Sequence, residues 1–203
     1  MSKMDDLVPK NRLIIAFILG VLGIFIGVLV GNYFVKGDSS SQSGGQSMPT
    51  GEDVSLSLSP DGVEADVGDS FPIEVKLKAE NMVLSGVALR LVYNYEGDLP
   101  LEPQDTKLVV NPDLVGQDWA FPVNSLEVDE KEKVVVAELA AVNLSPSGYP
   151  AEGEFTLATL DFVATATSSS DLVFMFDRQQ TKVLTKDGRE VDVFLKDASY
   201  SVD

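Results

Sequence analysis

The chain has 203 residues, 32 acidic against 15 basic, a net charge of −17 at pH 7, and neither cysteine nor histidine. An acidic balance of this size repels nucleic acid and anionic headgroups, and no basic stripe exists to track phosphates, so nucleic-acid binding is excluded. Without histidine or cysteine, Ser-His-Asp and Cys-His catalysis and the usual zinc ligand sets are excluded too, leaving only carboxylate chemistry.

Residues 1–12 form a short polar N-terminus carrying Lys3, Lys10 and Arg12. Residues 13–35, LIIAFILGVLGIFIGVLVGNYFV, are one apolar run broken only by glycines and Asn32. At about 1.5 Å per residue the run makes a helix on the order of 34 Å long, enough to cross a hydrocarbon core of about 30 Å. It exceeds the ~7–15 residues of a signal-peptide core and no Ala-x-Ala site closes it, so it reads as an uncleaved transmembrane anchor rather than a leader. Basic residues precede the run and only Lys36 follows closely, which predicts a cytoplasmic N-terminus and an extracellular remainder. The expected localisation is the cell membrane, with a single pass. Gly23, Gly27 and Gly31 recur every four residues, the spacing that lets two membrane helices pack closely. Glycine is also common in membrane helices for other reasons, so both readings of these three stay open.

Residues 36–53 are rich in Gly, Ser and Gln and lack apolar periodicity, which predicts a flexible tether with a reach on the order of 23 Å. Residues 54–203 then remain for one outer domain. Of the charged residues, 5 acidic and 4 basic precede residue 54, leaving 27 and 11 in this domain. Its length suits a core that needs no disulfide, burying about 68–70% of the unfolded surface.

Within the outer domain, period-two alternation dominates and no helical periodicity is convincing. Residues 54–58 alternate cleanly before the turn at Ser59, Pro60, Asp61 and Gly62. Phe71, Ile73, Val75 and Leu77 face inward, opposite Glu74, Lys76 and Lys78; Val87, Leu89, Leu91 and Tyr93 form a third inward row. Residues 107–110 make a short strand closed by Asn111 and Pro112. Residues 120–128 and 133–141 form a hairpin around the charged turn 129–132. Residues 155–166 are a long strand, Leu172, Phe174 and Phe176 alternate again, and 182–185 and 191–202 flank a turn at Asp187 and Gly188. About nine strands with turn signals every 8–12 residues predict an all-β sandwich.

The order of GDSFPIEVKLKAEN, LSGVALRLVYN, EGEFTLATLDFVA, TKVLTKDGRE and DASYSV resembles a cohesin domain over residues 54–202. That resemblance implies a nine-stranded jelly-roll β-sandwich that recognises dockerin modules on partner proteins. It also implies that the third, sixth and eighth strands lie side by side in the binding sheet. The chain departs from the family where the third strand ends in Tyr93, Asn94 and Tyr95 instead of Tyr-Asp-Pro. It departs again where Gly86 and Ala88 stand in place of outward polar side chains.

On those three strands the outward positions are Ala88, Arg90, Val92, Val134, Val136, Glu138, Val173 and Met175. An apolar patch with rim charges on so acidic a domain predicts a protein-binding face. The competing reading is that loops or the terminal segment cover it, or that β-branched residues simply suit strands.

Trp119 reads as a core or loop anchor rather than a sugar platform, because no row of aromatics accompanies it. Glu127, Asp129, Glu130 and Glu132 read as a solvated turn rather than a calcium site, since Lys131 and Lys133 interleave and no Asp-x-Asp-x-Asp-Gly loop occurs. Asn143, Leu144 and Ser145 fit a glycosylation sequon. The functional expectation is a surface-displayed module that binds a protein partner, a dockerin-bearing one as the resemblance implies, and not an enzyme. No metal or cofactor is expected. The alternatives are a carbohydrate-binding or adhesive module of the same superfold, or a structural envelope subunit.

Overall fold

The computed structural model describes residues 54–203; the N-terminus 1–12, the expected anchor 13–35 with Gly23, Gly27 and Gly31, and the tether 36–53 lie outside the described residues. The described chain is almost entirely strand: β1 (Val54–Ser59), β2 (Val63–Ala65), β3 (Ser70–Asn94), β4 (Leu101–Pro103), β5 (Val109–Val110), β6 (Trp119–Asp129), β7 (Val134–Asn143), β8 (Tyr149–Ala164), β9 (Leu172–Phe176), β10 (Lys182–Thr185), β11 (Glu190–Val191), β12 (Phe194–Lys196) and β13 (Ala198–Val202). One helix, α1 (Pro112–Val115), interrupts them.

The expected count of nine strands is corrected to thirteen strand segments among the described residues. Two expected strands, around 71–78 and 87–93, join into the single ladder β3, whose pairing with β8 shifts register between Ala79 and Met82. Asn81 takes φ +56 at that irregularity, a left-handed conformation that asparagine tolerates. The expected strand 191–202 breaks into three short pieces, and β2 and β4 pair with β13 and β8 respectively.

The two halves of β3 have different neighbours. Its first half pairs antiparallel with β1 and β8. From Gly86 onward it runs antiparallel to β7 on one side and to β10 and β9 on the other. β6 extends this second group through β7. The third, sixth and eighth strands expected from the sequence are thus neighbours, in the order β9, β3, β7.

The inward rows converge on one core. Ile73, Val75, Leu77, Val87, Leu89, Leu91, Tyr93, Leu172, Phe174 and Phe176 are buried as predicted, with Phe71 partly buried against them. Tyr93, Phe162, Phe174 and Tyr200 form its aromatic centre, with the Tyr93 and Phe174 rings 4.5 Å apart and Phe174 edge-on to Tyr200 at 5.3 Å. Both phenols satisfy their hydroxyls by donating to main-chain carbonyls, Tyr93 to Leu101 at 2.7 Å and Tyr200 to Pro60 at 2.7 Å. Burial holds both well above the ordinary phenol value. On the opposite side of the strands, Ser55, Ser57, Glu74, Lys76, Lys78, Thr159 and Asp161 are half-buried or exposed, the solvated sheet face that the sequence predicts.

The unexpected helix has a local cause. Asn111 accepts the Asp113 N–H through its side chain, Pro112 occupies the first turn, and Leu114 is buried beneath it. The Asn111 amide also donates to Thr156 O at 2.8 Å, fastening the turn to β8.

Candidate protein-binding face

Strand register brings most of the predicted site residues together. Arg90 of β3 lies opposite Glu138 of β7, Val92 opposite Val136, and Asn94 opposite Val134. Ala88 lies between Ala140 of β7 and Lys182 of β10. On the other flank Val92 pairs with Met175 of β9. Val173 is the exception: its partner is Ser199 of β13, so it sits at the margin rather than in the row.

This face is open. Ala88, Arg90, Val92, Val134, Val136 and Glu138 are half-buried, while Val173 and Met175 are 42% and 41% exposed. The inner face of the same strands is fully occupied, because Leu89, Leu91, Val135, Ala137 and Phe174 are all buried. The partial exposure of Val92, Val134 and Val136 and the fuller exposure of Met175 argue against a self-covered row among the described residues, although the 177–181 loop reaches the face at Arg90.

Arg90 anchors the polar side of the row. Its Nη1 donates to Glu138 Oε1 at 2.9 Å. Its Nε is shielded from solvent without a hydrogen bond and lies 4.0 Å from Asp177 Oδ2. The strand at Arg90 is itself clamped by the 177–181 loop, with Asp177 N donating to Arg90 O at 2.8 Å and Arg90 N donating to Thr181 Oγ1 at 3.4 Å. Asp177 Oδ1 in turn accepts the Gln179 N–H at 2.9 Å, which shapes the loop.

The sequence reading expected β6 as a strand but did not place it on this face. Its Ser125, Glu127 and Asp129 lie opposite Glu138, Val136 and Val134, widening the face by one strand. Together with Arg90, Val128, Glu130 and Lys131 they border an open groove of about 690 Å³. The signal was available: once the hairpin turn is placed at 130–133, counting back fixes Glu127 opposite Val136. The 177–181 clamp carried no such signal, being a contact between segments about 90 residues apart.

The charged turn is a turn, as expected. Asp129 Oδ1 accepts the N–H groups of Lys131 at 2.9 Å and Glu132 at 3.0 Å, and these hydrogen bonds hold its carboxyl below the usual carboxylate range. Among the described residues no cluster of acidic side chains fits a metal ion. Trp119 is 4% exposed and packs edge-on to Tyr149 at 5.5 Å, an anchor in the core rather than a platform. The sequon is closed: Asn143 is buried, its amide donates to Gln117 O at 2.9 Å, and its Oδ1 accepts the Ser145 N–H.

No family model matches the chain, and no curated protein matches it. Solved structures give the fold. The chain is similar to a type I cohesin–dockerin complex from Clostridium thermocellum, Coh-OlpA-Doc918, with TM-score 0.54 and 12% identity, covering 74% of this chain and 99% of that one. It is similar to the sixth cohesin of scaffoldin B from Acetivibrio cellulolyticus, solved with the Cel5 dockerin, with TM-score 0.52 and 18% identity over 74% and 99% of the two chains. A complex of CaCohA2 with CaDoc0917 matches with TM-score 0.55 and 14% identity over the same shares. Residues 54–203 therefore have the fold of a cohesin domain, an all-β sandwich.

Proposed function

We propose that this chain is a single-pass membrane protein whose outer domain is a cohesin-like binding module. It holds a partner protein non-covalently on the outer face of β9, β3, β7 and β6, and it performs no catalysis. The observation that carries this reading is the open row of Val92, Val136 and Met175 on strands whose inner side already fills the core. Apolar side chains aligned across three strands and rimmed by charge are what a protein contact surface requires. The fold it shares with cohesins solved in complex with dockerins makes a dockerin-bearing protein the partner to test first.

Anchoring by residues 13–35 confines the module to the cell surface, and the tether 36–53 gives it local reach. Together they raise the effective concentration of whatever it holds. A carbohydrate-binding reading lacks comparable support, because Trp119, Tyr93, Tyr95 and Tyr200 are buried and form no exposed row.

The test is a calorimetric titration of the full chain with a type I dockerin. Binding that weakens in the Arg90→Ala variant supports the reading; heat that is the same in both, or absent, overturns it.

A further inference from the structure

The docking row has two unlike ends. Register places Glu127, Val136, Val92 and Met175 in one line across β6, β7, β3 and β9. Three inter-strand spacings make that line about 14 Å long. At the β9 end it finishes in the thioether of Met175. At the β6 end it finishes in the carboxylate of Glu127, which is exposed and enters no ion pair among the described residues.

The neighbouring charges are already engaged. Glu138 is held by Arg90, Asp177 is bonded within its own loop, and Asp129 is capped by main-chain N–H groups with Lys131 beside it. The groove at this end carries Glu127, Asp129, Glu130 and Glu138 against Arg90 and Lys131, so its balance is negative.

We infer that the partner presents an apolar ridge ending in a lysine or arginine, whose cation seats on Glu127 while the ridge covers Val136, Val92 and Met175. The inference rests on reading this face as a docking surface. Charge selects among occupants: a second copy of this chain would bring acidic rims together, and an anionic membrane surface would meet the same repulsion. A cationic partner gains from both the row and its end, and an exposed pair of this kind sharpens specificity and on-rate more than raw affinity.

The probe is a pair of acetylated peptides, LVLVK and LVLVE, titrated into isotope-labelled full chain in nanodiscs of zwitterionic lipid, with backbone amide shifts as the readout. The expected result is that LVLVK shifts the amides of Glu127, Val136 and Val92 and binds about fivefold tighter than LVLVE, the size of one exposed ion pair (about 1 kcal/mol). Glu127→Gln should erase that difference. Equal binding of both peptides to this face would overturn the cation seat while leaving the docking surface standing, and so would a preference for LVLVK that survives Glu127→Gln. Shifts at this face from neither peptide would overturn the docking surface and the seat together.

Discussion

Arg90 and Glu138 face each other across β3 and β7 with Nη1 and Oε1 2.9 Å apart, and Asp177 stands 4.0 Å from the same guanidinium. Arginine fixed in this way is presented with its rotamer already chosen, which lowers the entropy lost when a partner binds. Arg90→Ala should therefore weaken partner binding by at least about 2 kcal/mol, near thirtyfold, whereas Val92→Ala should cost less. Because the pair is about one-third exposed, its own contribution to stability is small, about 0.2–1 kcal/mol, and the melting temperature should move by only a few degrees. Calorimetry on both variants separates the two effects.

Tyr93 and Tyr200 give the alkaline limit of the fold. Their phenols are buried and held above the ordinary value, so the folded state favours the protonated form. The stability this provides is complete below the unfolded phenol value near pH 10 and is lost as pH rises beyond it. Tyrosinate absorbance from these two should appear together with unfolding, not before it. Ionisation of both in a chain that keeps its strand circular dichroism would contradict the packing described.

Gly148 is held where a side chain does not fit. Its φ is +72, and a Cβ there would lie 2.6 Å from Val83 Cγ1 and 3.0 Å from Leu84 O. Gly188 has a similar φ of +76 but open space around it. Both Gly→Ala variants bear the backbone strain, about 1–3 kcal/mol, and only Gly148→Ala adds the clash. Thermal unfolding should rank Gly148→Ala clearly below Gly188→Ala.

Asn143 should remain unmodified even in a host that glycosylates sequons, because its amide nitrogen is buried and bonded to Gln117 O. Intact mass of the chain expressed in such a host checks this. Asn143→Ala should destabilise by about 1–3 kcal/mol by leaving that carbonyl unsatisfied.

The inward rows were legible because each strand buries one face, so alternate residues report burial directly: Ile73, Val75 and Leu77, or Leu172, Phe174 and Phe176. The outward set followed by subtraction, and six of its eight members come together on β3 and β7. Met175 joined them through its pairing with Val92, but Val173 did not, because β9 hands over from β3 to β13 along its length. Helix α1 escaped notice because four residues carry no periodicity, although Asn111, Pro112 and Asp113 form a capping signal. The continuity of β3 escaped for a different reason: residues 79–86 show no clean alternation, and β8 pairs with the strand up to Ala79 and again from Met82 across a register shift.

The most direct test of the docking face uses the absence of cysteine from the chain. Single Met175→Cys and Ser57→Cys variants place one thiol on the proposed face and one on the opposite sheet, and maleimide labelling of each is followed with and without a bound type I dockerin. Slowed labelling of the Met175→Cys variant with unchanged labelling of the Ser57→Cys variant is the predicted result. A dockerin that binds yet protects only the Ser57→Cys variant, or neither, would place the contact elsewhere and contradict the account.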